Sequence, residues 1–508
     1  MIKYESTNQL SIEEFKTPLQ RELNPENRWV KLAKEIPWEK LSSIYCKKMH
    51  QKMGARSIAP RIVIGAMIVK HKLNLSDIET IEAIRENMYI QYFLGLSDYT
   101  YESVFDPSLF VYIRKRLGVK EFDEMTLLLM DEDDKRKKDD EGNRSSRNKR
   151  DSFEEPVKLD DNGNITHKGD LKVDATVADA EVRFPTDIDL LNDAREKSED
   201  LIDSLCEKIH CEKPRTYRRI ARSKYLNVIK KRNKTKKIVR RGKREQLHFL
   251  KRNLCSIDKL LDKKADSMSY LNKREKKYLF VLRLVYDQQN QMYNANSHSC
   301  QDRIISIHQP HVRPIVRGKS KSQTEFGAKI GVGLHNGYAR IDHLSWDAYN
   351  EHTDLVTHVE NYKKHYGFYP ARFLADKIYL NRSNRTFLKS LKIEIVGKAL
   401  GRPSADSKKP EVRKALAKAM GERNEVEACF GTAKRRYRMN NIRAKLEKTS
   451  ASWIAAGYFV QNLMKFFREL LCALIQIWHY LLESSSEVCI FEKIEKEKIQ
   501  APPILCCV

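Results

Sequence analysis

The sequence lacks several features that would place it in other large protein classes. Its ten cysteines have no paired Cys-x-x-Cys spacing, so neither a disulfide framework nor a zinc site is predicted. Residues 1–22 contain no apolar segment followed by a small-residue cleavage site, so no signal peptide is expected. The longest apolar run, residues 470–482, includes Gln476 and His479 and is too short to span a bilayer. These absences favour a soluble, cytoplasmic protein.

The motifs of two other enzyme classes are also missing. Gly318-Lys319-Ser320 resembles the end of an ATP-binding phosphate loop, but Arg313 stands where the first loop glycine should be. The sequence shows no convincing Ser or Tyr constellation of the kind that recombinases use to form a covalent DNA intermediate. Neither an ATP-driven enzyme nor a covalent recombinase is therefore predicted.

Acidic residues are outnumbered by basic ones. Lys and Arg number 95 against 69 Asp and Glu, which gives a formal net charge of +26. Residues 213–252 hold eighteen of these cations and only one acid, Glu245. Such an imbalance predicts a polyanionic partner, with nucleic acid ahead of an anionic membrane; the alternative is a basic insertion that is merely soluble. The DNA-contact candidates in this segment are Arg218, Arg219, Lys230 and Lys231.

A chain of 508 residues is long enough for about three domains. Residues 1–130 are predicted to form short helices, the third of which carries a basic cluster suited to DNA binding or to a dimerisation domain. That cluster consists of Arg114, Lys115 and Arg116. Almost no apolar residues occur in the first part of 131–168, which predicts a charged flexible linker. The segments predicted after it are a first part of an α/β core at 169–187, a basic helical insertion at 188–300, a second part of the core at 301–450, and a C-terminal helix and tail at 451–508.

Three carboxylates lie at positions that a folded sheet would bring together. Asp174 lies in a predicted strand and points away from that strand's apolar side chains. Asp376 ends a second apolar strand, and Asn336-Gly337 between two alternating runs predicts a hairpin between them. Carboxylates at the ends of neighbouring strands converge at one sheet edge, where a helix bearing Glu427 would add a third. Three hard oxygen donors suit Mg²⁺, and two such ions would promote in-line displacement at phosphorus.

The helix around Glu427 places two cations on the same face. At about 100° per residue, Arg423 lies about 40° and Lys434 about 20° from Glu427 around the helix. These cations could hold DNA phosphates, although a solvated charged face is the alternative. Two competing acids lie nearby, but Glu425 is on a different helical face and Glu422 lacks the spacing.

These motifs, in this order, resemble a bacterial insertion-sequence transposase of the DDE class, close to the insertion-sequence-five-like group. Asp174 in Val-Asp-Ala-Thr matches the first catalytic Asp, and Asp376 in Leu-Ala-Asp-Lys-Ile-Tyr matches the second. Glu427 matches the third acid of the tyrosine-arginine-glutamate-lysine signature, with Arg423 and Lys434 at the two basic positions. Residues of the helical N-terminal region are also similar to that group.

The resemblance implies an α/β catalytic core with an RNase H-like mixed five-stranded sheet and helices, preceded by an all-α N-terminal domain and interrupted by the basic helical insertion. It implies two Mg²⁺ (or Mn²⁺) ions held by Asp174, Asp376 and Glu427. The implied reaction is DNA cleavage at terminal inverted repeats, followed by attack of the 3′-hydroxyl on target DNA. Double-stranded DNA and a second protomer in a synaptic complex are the expected partners, in the nucleoid-associated cytoplasm.

Two departures and two rival functions remain at this point. Met420 stands at the signature's tyrosine position, so any contact made by that phenol is missing. The large insertion follows the first Asp strand rather than preceding the Glu helix. A metal-dependent nuclease would use the same three acids with water as its nucleophile. A non-catalytic DNA-binding remnant of a transposase would keep the basic surface without the chemistry.

Overall fold

The computed structural model describes residue 15 and residues 22–49, 57–143, 156–263, 267–316, 324–397 and 410–484. The chain forms two compact units, each built from separate stretches of sequence. The first unit comprises Met1–Leu109, Glu121–Ser152 and Tyr458–Val508, and the second comprises Phe110–Lys120 and Phe153–Gly457. Among the described helices, none is long and apolar enough to cross a membrane.

The N-terminal part of the chain is helical, as predicted. Its helices are α1 (Arg28–Glu35), α2 (Trp38–Cys46), α3 (Pro60–Leu73), α4 (Asp77–Glu86), α5 (Met88–Leu94), α6 (Leu109–Arg116) and α7 (Val119–Asn143). Pro60 occupies the first turn of α3, and Ser76 forms a capping box with Glu79 at the start of α4. Aromatic side chains fill the core of the first unit, where the ring centroids of Trp38 and Phe93 lie 5.1 Å apart.

The predicted flexible linker is partly regular structure. Helix α7 continues to Asn143, and residues 157–168 form a two-stranded antiparallel hairpin, while residues 144–155 lie outside the described residues. In the last turns of α7, Asp133 is 3% exposed and its carboxylate pairs with Arg136 at 2.6 Å and Lys137 at 2.8 Å. Ion pairs between residues one turn apart stabilise a helical segment even where it has few apolar residues. Composition alone therefore overestimated the length of the linker.

The second unit contains a mixed six-stranded sheet rather than a five-stranded one. The strands of the hairpin and the sheet are β1 (Val157–Leu159), β2 (Ile165–Lys168), β3 (Asp170–Asp179), β4 (Arg313–Val316), β5 (Thr324–His335), β6 (Tyr338–Ser345), β7 (Arg372–Ala375) and β8 (Glu394–Val396). In the sheet, β5 is antiparallel to β3, and β7 is parallel to both β3 and β8. The extra strand is β4, which pairs with the first residues of β5, whereas β6 pairs with the rest of it.

The predicted Asn336-Gly337 hairpin joins β5 to β6. Both residues have positive φ angles, 49° and 73°, as the tight turn between two strands of this twist requires. The predicted alternation in β3 is also confirmed: Leu171 and Val173 are buried in an apolar cluster on one side of the sheet. Lys172 and Asp174, on the other side, contact a later helix.

The remaining α-helices of the described residues all follow β3 in the sequence. They are α8 (Asp187–Ile209), α9 (Arg218–Ile229), α10 (Lys236–Leu261), α11 (Lys273–Asn294), α12 (Leu355–Tyr366), α13 (Arg382–Ser390), α14 (Pro410–Arg436) and α15 (Glu447–Ser484). Helix α12 packs on the apolar side of β3, and α14 crosses β3, β7 and β8 on the other side. Helices α8, α10 and α11 enclose a separate apolar core that includes Leu191, Leu250 and Leu282. The residues between β3 and β4 thus fold around a core of their own.

Candidate active site

Asp174 is a carboxylate held in the middle of a strand. Its side chain is only 17% exposed, and burial raises its pKa from the usual 3.8 to about 6. The backbone N–H of Ala175 donates to Oδ1 at 2.8 Å and, like the nearby Arg423 guanidinium, lowers the pKa of Asp174. The carboxylates of Glu351 and Asp376 raise it further. The carboxyl is therefore protonated more readily than a surface Asp.

The strand register brings Asp376 beside Asp174. Strands β3 and β7 are parallel, and Val173 pairs with Ala375. The next position in each segment is therefore Asp174 and Asp376, on chains about 4.8 Å apart in the hydrogen-bonding direction. Asp376 lies just past the end of β7 and is exposed, and the backbone N–H of Lys377 donates to its Oδ1 at 2.7 Å. The two predicted acids thus occupy neighbouring positions on adjacent segments of the sheet.

Arg423 links Asp174 to Glu427. Its Nη1 lies 3.4 Å from Asp174 Oδ2, and its Nη2 donates to Glu427 Oε1 at 2.7 Å. The Arg423 side chain is 19% exposed, whereas that of Glu427 is 55% exposed. The Arg423 guanidinium therefore contacts both Asp174 and Glu427. Among the acids of α14, Glu427 is the one that shares this partner with Asp174.

The two competing acids of α14 are paired with other cations of the sheet. Glu425 Oε2 lies 2.5 Å from Lys172 Nζ, and Glu422 Oε2 lies 3.3 Å from Arg372 Nη2. Arg372 also forms a close ion pair with Asp170. These contacts fix the side of α14 that faces the sheet, and they leave both acids with their own structural partners.

Lys434 lies at the far end of β3, away from the three acids. Its Nζ is 3.9 Å from Asp179 Oδ2. Asp179 follows Asp174 by five residues, which corresponds to about 17 Å along a strand. The helical spacing put Arg423 and Lys434 on one face of α14, but the face is long enough to reach two separate parts of the sheet. The structure brings Arg423, and not Lys434, to the acids.

No group of three or more His, Cys, Asp or Glu side chains in the described residues is arranged to hold a metal ion. At the candidate site, the Arg423 guanidinium lies between Asp174 and Glu427 and supplies the positive charge. The donor set itself suits a hard cation, because carboxylate oxygens are the ligands that Mg²⁺ and Mn²⁺ accept. The raised pKa of Asp174 reflects burial and carboxylate repulsion, which a cation would relieve.

A buried polar network on the α12 side of the sheet was not predicted. His358 is fully buried, and its Nδ1 lies 2.6 Å from Asp342 Oδ2. Asp354 contacts His343 at 2.9 Å. Nearby Tyr379 is also buried, and burial and the carboxylates of Glu351 and Asp174 raise its pKa. Each of the two pairs joins residues more than ten positions apart in the sequence, so no local spacing signals them.

Only some of the predicted DNA-contact residues lie on the surface. Arg114 is 4% exposed, and its guanidinium lies over the Trp453 ring at 5.7 Å, so it is an interior residue rather than a DNA contact. Lys115 and Arg116 are exposed beside it. Arg218 makes two contacts of 2.7 Å with the Asp203 carboxylate. The exposed candidates without an ion pair among the described residues are Lys115, Arg219, Lys230 and Lys231.

Two segments of the chain are similar to transposase domains of known proteins. A family model described as "Transposase domain (DUF772)" matches residues 17–116, and one described as "Transposase DDE domain" matches residues 373–464. A Rhizobium meliloti protein described as "Uncharacterized protein ORF8 in nfe locus" is 32% identical over 111 residues, 22% of this chain and 53% of that protein. The chain thus spans about half the length of this relative. No solved structure matches significantly.

Each matched segment is similar to a transposase domain, and together the two segments cover less than half of the chain. The segment matched by the DDE-domain model contains Asp376, Arg423 and Glu427. Asp174 lies outside both matched segments. The mixed α/β sheet and the helical N-terminal region are compatible with a DDE transposase core.

Proposed function

We propose that this protein cleaves DNA at the ends of an insertion sequence and joins the liberated 3′-hydroxyl to target DNA. Asp174, Asp376 and Glu427 are the proposed catalytic acids. The observation that carries the proposal is the register of β3 and β7, which sets Asp174 beside Asp376, together with the Arg423 contacts that join Asp174 to Glu427. The transposase domain matches supply the class of reaction.

An RNase H-like core is part of this proposal. Leaving aside the short β4, the sheet has the five strand positions that the family resemblance implies, with β3 at the centre. On one side of β3 lies the antiparallel β5–β6 hairpin, and on the other lie the parallel strands β7 and β8. The first proposed acid is therefore on the central strand, and the second is at the end of its parallel neighbour.

Asp174, Asp376 and Glu427 would hold Mg²⁺ or Mn²⁺. Two such ions, when bound, would activate the attacking oxygen and stabilise the leaving oxygen of the phosphodiester. Asp174 has to be ionised to act as a ligand, and its carboxyl is deprotonated above about pH 6. Arg423 already lies between two of the acids, where its guanidinium would hold a phosphate oxygen of the DNA.

The test uses the purified full chain and a DNA duplex taken from the sequence that flanks its gene. Asp174→Asn and Asp376→Asn should each lower Mg²⁺-dependent nicking by at least about 100-fold, because the loss of a metal ligand removes several kcal/mol of transition-state stabilisation. Binding of the same duplex in EDTA should be retained. Equal nicking by the wild type and both variants would overturn the assignment of these acids.

Joining of the products distinguishes a transposase from a nuclease. We propose that at least two protomers assemble with two DNA ends, so nicked ends mixed with a plasmid should yield plasmids carrying the end sequence. Metal-dependent nicking without any joined product, under conditions that support nicking, would instead favour a nuclease that uses water as the nucleophile.

A further inference from the structure

The turn between α9 and α10 carries a dense cluster of cations, which we name the basic tip and define as residues 230–237. Within these eight residues there are six cations and no acid. Each of the six side chains is exposed, and none has an ion-pair partner in the described part of the chain. The six are Lys230, Lys231, Arg232, Lys234, Lys236 and Lys237.

Several cations in the body of the insertion pair with carboxylates, whereas none of the six cations of the basic tip does so among the described residues. Arg222 lies 3.4 Å from Glu196, and Lys224 lies 3.2 Å from Glu245. Glu245 also accepts from Arg241. Charge in the body of the bundle is thus partly balanced within the fold. In the basic tip, like charges repel one another at separations shorter than the screening length of about 8 Å at physiological salt. A bound polyanion would relieve that repulsion.

The start of α10 adds further positive potential to the basic tip. Thr235 caps this 26-residue helix, accepting from the backbone N–H of Ile238 at 3.4 Å. Acidic residues are favoured in the first turn of a helix because they compensate the positive end of its dipole. Here the first turn has no acid and instead contains Lys236 and Lys237. Helix dipole and side chains therefore attract an anion together.

The basic tip lies at the end of the insertion that joins the sheet. Lys243 of α10 and Arg303 both pair with Asp187, which begins α8 eight residues after β3 ends. Lys236 precedes Lys243 by seven residues, or about 10 Å along the helix. The opposite end of the bundle is farther away, because the 26 residues of α10 span about 39 Å. A pair between Arg283 and Asp258, at 2.5 Å, shows that α11 starts at that opposite end.

We propose that the basic tip binds the sugar–phosphate backbone of duplex DNA next to the cleavage site, without reading its sequence. This inference rests on the proposed function, which brings DNA to the sheet beside which the basic tip lies. Five of the six cations are lysines, which act as flexible point charges rather than as planar bidentate donors. Residues 230–237 also contain no aromatic side chain on which an unpaired base could stack. Both features favour a duplex backbone over single-stranded DNA.

The experiment compares two triple variants of the full chain that remove equal charge. One carries Lys230→Ala, Lys231→Ala and Lys234→Ala in the basic tip. The control carries Lys273→Ala, Lys276→Ala and Lys277→Ala, three exposed residues in the first turns of α11. Circular dichroism and thermal unfolding of both variants should match the wild type, because none of the six side chains is buried.

The readout is the equilibrium binding of a 40-base-pair duplex of unrelated sequence across a range of salt concentrations. Each phosphate contact that is lost reduces the slope of log K against log salt by about 0.9. We therefore expect the basic-tip variant to have a slope smaller by about 2 to 3, with affinity at low salt reduced on the order of tenfold or more. The control variant should bind nearly as the wild type does.

The possible failures of the two proposals are distinguishable. If the basic-tip variant retains the wild-type slope while Asp174→Asn abolishes nicking, the inference is wrong and the proposed function stands. If the slope of log K against log salt is smaller for the basic-tip variant but the wild type never nicks DNA with Mg²⁺, the DNA contact stands and the proposed function is wrong. Vesicles containing phosphatidylserine provide the remaining comparison. If the basic-tip variant lost binding to vesicles and not to DNA, the partner would be a membrane and the inference would be overturned.

Discussion

Asp174 is a carboxylate whose burial is unfavourable for folding at neutral pH. Its folded-state pKa of about 6 lies above the usual 3.8, mainly because of burial. Folding therefore favours the protonated form, and the stability associated with protonation is lost as pH rises through the folded pKa. In metal-free buffer above about pH 6, the ionised carboxylate costs on the order of 3 kcal/mol.

Asp174→Asn should consequently stabilise the metal-free protein at neutral pH. The amide carries no charge, so the variant avoids the cost of a buried carboxylate. We expect its advantage to grow between about pH 4 and pH 6 and to reach about 2 to 3 kcal/mol above that range. Urea unfolding with EDTA at pH 4.5 and pH 8 measures this difference. An advantage that was equal at the two pH values would contradict the assigned pKa.

A second prediction separates the acids of α14. Glu427→Gln should lower Mg²⁺-dependent nicking by at least about 100-fold, because it removes a proposed metal ligand. Glu425→Gln is the matched control, since its carboxylate contacts Lys172 rather than Arg423. That variant should retain nicking within a few-fold of the wild type. If Glu425→Gln lost activity and Glu427→Gln kept it, the third acid would be Glu425.

Sequence patterns predicted individual residues well where only local geometry mattered. Strand alternation predicted that Asp174 lies on the side of β3 opposite the apolar side chains. Helical spacing predicted that Arg423 and Glu427 lie on one face of α14, where they form an ion pair. Arg114 was different, because its burial depends on Trp453, more than 300 positions away in the sequence. The separation of Lys434 from the acids likewise depends on how α14 lies across the sheet. Tertiary contacts of this kind have no local signal.

At the scale of elements, β5 pairs with three strands and leaves no room for a side chain at one position. Gly327 pairs with Asp179 of β3 and Arg313 of β4. A Cβ atom at Gly327 would lie 1.9 Å from the carbonyl oxygen of Ala178. Because this oxygen belongs to the backbone of β3, it cannot move aside as the end of a flexible side chain can. Strands β3 and β5 would therefore have to separate.

Gly327→Ala should therefore destabilise the protein by about 2 to 3 kcal/mol or more, measured as a lower urea midpoint. Gly421→Ala is the control, because Gly421 lies within α14 and a Cβ there would meet nothing within 4 Å. Alanine has the higher helix propensity, so this second variant should gain up to about 1 kcal/mol. Destabilisation of similar size in both variants would show that the tight approach at Gly327 is not the cause.

Elements with a strong local signal were predicted, and those held by partners were not. The Asn336-Gly337 hairpin was confirmed because short-range geometry defines it. The β1–β2 hairpin was missed, since β1 is exposed throughout and has no buried face to produce an alternating pattern. The short strand β4 was missed for a related reason: its identity depends on the first residues of β5.

At the scale of the whole molecule, the two ends of the chain contribute to the same compact unit. The first unit combines α1–α5 with most of α7 and with the part of α15 that begins at Tyr458. Within it, the rings of Phe122 and Phe459 lie 5.7 Å apart. The sequence predicted contiguous domains, with a C-terminal helix attached as a separate segment. Local sequence predicted the C-terminal helix but could not show which residues would pack against it.

Phe459→Ala tests whether the C-terminal helix supports the N-terminal helices. Phe459 is 2% exposed, and truncating a buried Phe to Ala typically costs about 3 to 5 kcal/mol. The loss should fall on the first unit, so amide hydrogen exchange should accelerate in α3 and α5 while β5 keeps its protection. Ile78→Ala in α4 is the control, because Ile78 is 65% exposed and its truncation should change exchange little. Faster exchange in β5 to the same degree as in α3 would instead show that the chain unfolds as one cooperative unit.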